Sequence, residues 1–376
     1  MWYNKRILKI GLSILWIFMF RTVDAHNEKI STFEGTFGER EVLMEIVNSH
    51  GFYKARYCFR DDLNDVFLET SYDGSHYILV SSRFNKEAKK YDTLQEINIK
   101  KEQSQEWTGT WKAPSGDEYK VALHPVTKDS LAFESKDAYY KNSMTLYAFC
   151  RLKNIQYNVV EEQRFKHGLR VEWLEEKNSG VKGFRIVDGL SDSSIKKINE
   201  YLEIKHLQDI ESYFGCGTVA FDGWYKQEIK ITYLSPRLLS FTKSEHKNCF
   251  NAEEPVYNEY FTIDLNTRNI LSIENLLWMG ESEQPRNGSM EYFEYRRNIF
   301  SKAIEVYIRE NYEKEIKESG CDYTDRKIYV FPQFYLTPKG MILKSDYYSL
   351  SEQCKSADWM LISFKDFKKF WNRKYL

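Results

Sequence analysis

The chain has 376 residues, with 54 Lys and Arg against 55 Asp and Glu and a formal net charge of -1. That length predicts two domains, each large enough to bury a core, and the charge balance removes the general electrostatic reason for a protein to seek nucleic acid. Aromatic residues make up 16% of the chain, a richness that suits pleated sheets and cores as well as sugar- or protein-binding faces.

Lys5, Arg6 and Lys9 precede an apolar run from Ile10 to Phe20, and Val23-Asp24-Ala25 follows. This is the charged, apolar and small-residue order of a secretory signal peptide, predicted over 1–25 with cleavage after Ala25. The run of 11 residues falls short of the about 20 that a bilayer span needs. Arg21 in the cleavage region keeps an uncleaved membrane anchor open as the alternative. Cleavage removes Lys5, Arg6, Lys9 and Arg21 with Asp24, so the formal charge moves from -1 to -4. A periplasmic or secreted protein with no remaining membrane span is the expectation.

From Phe33 to Val126, short β-rich runs (EVLMEIV, FYKARYCF, VFLETS, HYILVSS, LQEINIK, EWTGTW, EYKVALH) alternate with turn residues such as Asn48-Ser49-His50-Gly51 and Tyr72-Asp73-Gly74-Ser75. They predict an antiparallel meander, closed as a barrel or folded as a sandwich. Trp107 and Trp111 share one face of their strand with Gly109 between them, a pattern we assign to core packing. The less regular segment Thr127 to Leu152 carries the boundary between an N-terminal β domain, 26–150, and a second domain, 151–376.

The second domain opens on strand-like IQYNVVEE, LRVEWLEE and VKGFRIV. Ser191-Asp192-Ser193-Ser194 then offers an N-cap ahead of Ile195, Ile198 and Leu202, predicting a helix. KQEIKITYL and RLLSFTKSE predict a hairpin across Ser235-Pro236, and YNEYFTIDL with NILSI a further strand pair across Asn266-Thr267-Arg268. Met290 to Ser319 is predicted helical. In Thr337-Pro338-Lys339-Gly340, proline fixes the turn and glycine is expected to supply a left-handed residue. The closing LISFKDFKKFWNRKYL predicts an amphipathic helix with Phe364, Phe367, Phe370 and Trp371 on its packed face.

Cys58, Cys150, Cys216, Cys249, Cys321 and Cys354 form an even set without a C-x-x-C pair, which in an exported chain points to disulfides. Equal separations of 33 favour Cys216 with Cys249 and Cys321 with Cys354, although sequence alone leaves the connectivity open. Cys58 and Cys150 stand as the remaining disulfide candidates. The chain lacks a G-x-S-x-G elbow, H-E-x-x-H, a phosphate-binding loop and G-x-G-x-x-G. His246 and Cys249 make the best metal spacing, but a zinc site would have to take cysteines from the disulfides. Neither a metal nor a cofactor is expected.

The order of segments from Phe184 onward resembles the C-terminal domain family of the bacterial anti-sigma factor RsiV, over roughly residues 155–376. The matching stretches are Leu238-Leu239-Ser240-Phe241, Asp264-Leu265-Asn266-Thr267 with Leu271 and Leu276-Leu277, and Leu336-Thr337-Pro338-Lys339-Gly340 with Tyr347. The resemblance implies extracytoplasmic ligand binding, since the RsiV domain binds lysozyme. The sequence departs from that pattern at SEHKNCFNAEEPVY, at Arg268 and at SLSEQC, all in loops where specificity resides. The expected contact residues are therefore His246, Glu253, Glu254, Tyr257 and Tyr348. The expected fold is α+β overall: an all-β barrel or sandwich, then an α+β domain with helices packed on an antiparallel sheet. The expected function is non-catalytic binding of a lysozyme-like protein or a cell-wall component such as peptidoglycan. The alternative is a cell-wall hydrolase or esterase whose carboxylates or histidines, His167, His206 and His246 among them, meet in a cleft.

Overall fold

A computed structural model describes residues 28–85, 87–128, 144–216, 223–249, 252–345, 350–355 and 357–375. The expected signal peptide and Tyr348 lie outside these residues. The chain divides into two compact units, one ending at Lys153 and the other beginning at Asn154.

The first unit is built on β1 (Glu28–Phe37), β2 (Arg40–Ser49), β3 (Phe52–Phe59), β4 (Val66–Tyr72), β5 (His76–Asn85), β6 (Lys90–Lys101), β7 (Trp107–Lys112) and β8 (Glu118–Val126). Each strand pairs with the next, and β8 returns antiparallel to β1 from Thr32 opposite Val126 to Phe37 opposite Val121, which closes the barrel. Period-two alternation sends Val42, Met44 and Ile46 of β2, Ala55, Tyr57 and Phe59 of β3, and Ile97 and Ile99 of β6 into one interior cluster. Trp107 and Trp111 join that cluster as expected. Gly109 between them has a steric reason: a Cβ there would lie 1.8 Å from the Asn98 carbonyl oxygen on β6. Gly35, also at an inward position, would meet the Ala122 carbonyl oxygen at 1.9 Å. Neighbouring backbones thus close in on these residues as the sheet curls.

Helix α1 (Leu146–Leu152) is capped by the Thr145 hydroxyl, which accepts from the Ala148 N–H at 3.1 Å. Its Tyr147 and Cys150 share a second cluster with Leu43, Cys58 and Val126 on the outside of the barrel. Beneath it, the Asp65 carboxylate accepts from Arg151 Nη1 at 2.7 Å, from the Tyr147 hydroxyl at 2.5 Å and from Arg56 Nη1 at 3.1 Å. This network sets the Asp65 carboxylate against the Arg151 charge that α1 buries. Cys58 and Cys150 are free thiols here, which corrects their assignment as disulfide candidates. Both are buried and fill space as small apolar residues do. Burial pushes the Cys58 thiol up to about 11, and Cys150 is raised by the same cause.

The second unit mixes α and β but is rich in strands. It opens on a sheet of β9 (Tyr157–Arg164), β10 (Arg170–Glu176) and β11 (Lys182–Asp188), followed by α2 (Asp192–Cys216). Ile198 and Leu202 of α2 share one core with Val171, Phe184 and Ile186 of this sheet. A second sheet contains β12 (Trp224–Leu234), β13 (Leu238–Cys249), the short β14 (Ala252–Glu253) and β15 (Tyr257–Asp264), with β13 between β12 and β15. A third contains β16 (Gln333–Thr337), β17 (Gly340–Lys344) and β18 (Leu361–Ser363).

Four local expectations change here. Residues 269–273 do not form a strand: Ile270 makes one bridge to Ile263, and the Asn275 side chain captures the Ser272 N–H at 2.9 Å to start a helical turn. The helical stretch from Met290 is interrupted by a π-helical segment at Arg296–Phe300, where buried Arg296 pairs with buried Glu274. The closing segment is a series of turns after β18, because tertiary bonds engage its backbone: the Phe370 carbonyl accepts from Trp278 at 3.0 Å, and the Asn372 N–H donates to Leu276 at 2.8 Å. Gly340 has φ of +157°, near extended, and its requirement is room, since a Cβ would lie 2.2 Å from the Ile362 carbonyl oxygen of β18.

Gly109→Ala is expected to lower the urea-unfolding free energy by about 1–3 kcal/mol, the scale of an overpacked interior. An unchanged unfolding midpoint would contradict the close approach of β6 and β7.

Candidate binding site

The stretch expected to be a loop is largely strand: His246 lies in β13, Glu253 in β14 and Tyr257 at the start of β15, with Glu254 just after β14, because backbone pairing with β12, β14 and β15 extends β13 to Cys249. The disulfide Cys216–Cys249, with Cα atoms 4.8 Å apart, joins the last residue of α2 to the last residue of β13. It closes a loop of the size for which a bridge contributes about 3–4 kcal/mol. His246 Nε2 lies 3.0 Å from the Glu253 carboxylate, and the Trp224 ring meets the imidazole edge to face at 4.7 Å. Lys226, directly opposite His246, places its ammonium 5.2 Å from the Trp224 ring. Lys247 pairs with Glu254 at 3.4 Å.

Register divides these residues between two faces of the sheet. His246, opposite Lys226, shares its side with Trp224 and Glu253. Tyr257 stands opposite Glu245, whose alternation places it on the other side with Lys243 and Phe241. The structure thus brings His246 and Glu253 together but separates them from the exposed Tyr257.

On that other side lies a charge cluster that the sequence reading did not single out. Lys243 Nζ is 2.7 Å from Asp209 of α2, 2.8 Å from Glu245 and 2.5 Å from Glu259 of β15. Gln227 Nε2 donates to the second Asp209 oxygen at 2.6 Å. Burial, against the attraction of Lys243, pushes the Asp209 carboxyl up to about 7, and the nearby Glu245 and Glu259 add to the rise. Burial also opposes the Lys243 charge, yet Asp209 and the two glutamates hold its ammonium above the ordinary lysine range. One signal was available in the sequence: in LLSFTKSE, Lys243 occupies the inward parity set by Leu239 and Phe241.

Displaced carboxyl and amine titrations are the mark of many catalytic sites. Here the cavity beside Lys243, lined also by His206, Phe241 and Phe261, has a volume of about 20 Å3. That is room for about one water. The cluster consequently acts as an internal electrostatic clamp between α2 and the sheet. The three histidines considered for hydrolysis have separate surroundings. His206 is buried with Nε2 2.9 Å from the Val181 carbonyl oxygen, His167 occupies an exposed turn with φ of +60°, and His246 faces Glu253.

The second expected disulfide, Cys321–Cys354, is also formed, with Cα atoms 5.9 Å apart. Among the described residues no helix is long and apolar enough to cross a membrane. The pair of disulfides fits an exported protein. No protein-family model matches the chain, and no curated protein matches it.

The Asp209 carboxyl binds a proton more readily folded than unfolded, so its contribution to stability is complete below the unfolded value near 4 and is lost as pH rises through about 7. Asp209→Asn is therefore expected to gain stability relative to the parent protein as pH rises from about 4 to 7, read as a growing difference in unfolding temperature. A difference that is flat across that range would contradict the raised carboxyl.

Proposed function

We propose that the protein is a non-catalytic extracytoplasmic binding protein, exported by the signal peptide expected at 1–25, whose second unit belongs with the RsiV-type domains. The observation that carries this reading is the contrast between two sides of one sheet. The groups with displaced titration surround a cavity of about 20 Å3, while Trp224, His246 and Glu253 meet beside a disulfide. A patch mixing an aromatic ring, an imidazole and a carboxylate beside a disulfide suits recognition, because side chains already in contact lose less freedom on binding. The ligand is a protein of lysozyme type or a cell-wall fragment, with Glu254 and Lys247 available at the same end of β13.

The hydrolase reading has less support, because the carboxylates around Lys243 are held in ion pairs beside a void too small for a sugar ring or an acyl chain. Packing of α2 on the first sheet of this unit agrees with the helices-on-sheet arrangement that the family resemblance implies.

Titration calorimetry of the exported protein with lysozyme, and separately with soluble peptidoglycan fragments, is expected to give saturable binding to one of them. Trp224→Ala is expected to weaken that binding by about 10-fold, the loss typical of an interface anchor. Absence of heat with both ligands under conditions where the folded protein is verified by circular dichroism would overturn the proposal.

A further inference from the structure

The barrel of the first unit encloses a cavity that the reading of the second unit leaves unused. An eight-stranded barrel has an interior just wide enough to be filled by side chains or to hold one small ligand. The two ends of this barrel differ in that respect.

One end is plugged. Phe37, Tyr57, Phe59 and Trp111 stack into one another there, with ring centroids 5.1 Å apart for Phe37 and Tyr57 and 5.6 Å for Phe59 and Trp111. Their polar atoms are matched: Gln95 Oε1 accepts from the Tyr57 hydroxyl at 2.7 Å and from Trp111 Nε1 at 2.9 Å. This end is solid core.

The other end is hollow. A cavity of about 710 Å3 opens there, with Phe33, Ile46 and Trp107 among its buried lining. Its wall is aromatic: Tyr72 and Tyr77 stack at 4.4 Å, Tyr53 lies 5.3 Å from Tyr72, and Tyr77 lies 5.0 Å from Trp107. Among the described residues the Tyr53 and Tyr77 hydroxyls make no hydrogen bond, whereas Tyr72 donates to the Gly74 carbonyl at 2.5 Å. The cavity size lies within the roughly 300–1,000 Å3 of small-molecule sites.

Charge decides the class of occupant. Among the described residues the lining includes Lys29, Lys101 and Lys128 and no Asp or Glu. Among the described residues neither Lys29 nor Lys101 is ion-paired, in a chain whose net charge is -1. Register places the first two lysines at the rim: Lys29 is opposite Asn48, and Lys101 is opposite Trp107. A ligand seated between the tyrosines would present its head to ammonium groups, and a carboxylate there would meet no like charge from the described lining residues.

We propose that this mouth binds a small anionic amphiphile, with a flat or apolar body between the tyrosines and an anionic head at Lys29 and Lys101. The probe is anilinonaphthalene sulfonate, which has an aromatic body and an anionic head. Its uncharged relative N-phenylnaphthylamine lacks the head. The full-length protein is expected to bind the sulfonate saturably at a single site, more weakly as salt is raised. Lys29→Glu with Lys101→Glu alters only exposed positions. This variant is expected to lose about 10-fold or more in sulfonate affinity while N-phenylnaphthylamine binding changes by less than about 2-fold. Ser31→Trp, filling the mouth from β1, is expected to exclude both probes at an unchanged barrel circular-dichroism spectrum. Lack of saturable sulfonate binding, equal weakening of both probes by the lysine variant, or retention of both by Ser31→Trp would each overturn the proposal. Trp224→Ala lies on the other unit and separates the two sites: it is expected to leave probe binding unchanged.

Discussion

A β-strand sends successive side chains to opposite faces, and both units are organised by what they do with that constraint. In the first unit the sheet closes on itself, so one parity becomes an interior and the other an outer wall. In the second the sheets stay open, and the inward parity must be covered by α2 or by neighbouring chain. The same rule therefore yields a lined hollow in one unit and a clamped charge cluster in the other. A single register slip would exchange Lys243 with Thr242, or Tyr53 with exposed Phe52, and destroy both arrangements.

Most of the strands were legible for this reason. Runs such as EVLMEIV and HYILVSS carry their own period, and their turns contain residues that stop a strand, so the order β2 to β8 could be read from the sequence, whereas β1 was not among the runs read. Closure was left open between barrel and sandwich, because the pairing of Thr32 with Val126 joins residues far apart in sequence that have no local signature. The final segment misled through its amphipathicity. Phe364, Phe367, Phe370 and Trp371 do have a packed side, but bonds to Leu276 and Trp278 decide the backbone, and no local pattern encodes a distant partner. The candidate site was half legible: spacing favoured Cys216 with Cys249, while only register could reveal that Tyr257 and His246 face opposite ways.

Both units bury charge, and both do so by pairing it with opposite charge. Asp65 takes bonds from Arg151, Arg56 and Tyr147, and Lys243 is surrounded by three carboxylates. Such clusters add little net stability over an apolar core, yet they penalise wrong packings in which one partner is missing. The Asp65 network thus fixes where α1 lies on the barrel, and the Lys243 cluster fixes α2 on its sheet. The proposed binding patch beside the end of α2 would gain a stationary base from that arrangement.

The free thiols Cys58 and Cys150 bear on the route by which the bridges form. Disulfide exchange requires thiolate, and with the Cys58 thiol pushed up to about 11, only about one molecule in ten thousand carries it ionised at neutral pH. Once the barrel and α1 have packed, these two sulfurs are withdrawn from exchange with Cys216, Cys249, Cys321 and Cys354. The four cysteines that remain allow three pairings, against 15 for all six. Burial of Cys58 and Cys150 in the folded first unit thus leaves the reactive sulfur of the protein with the four bridged cysteines.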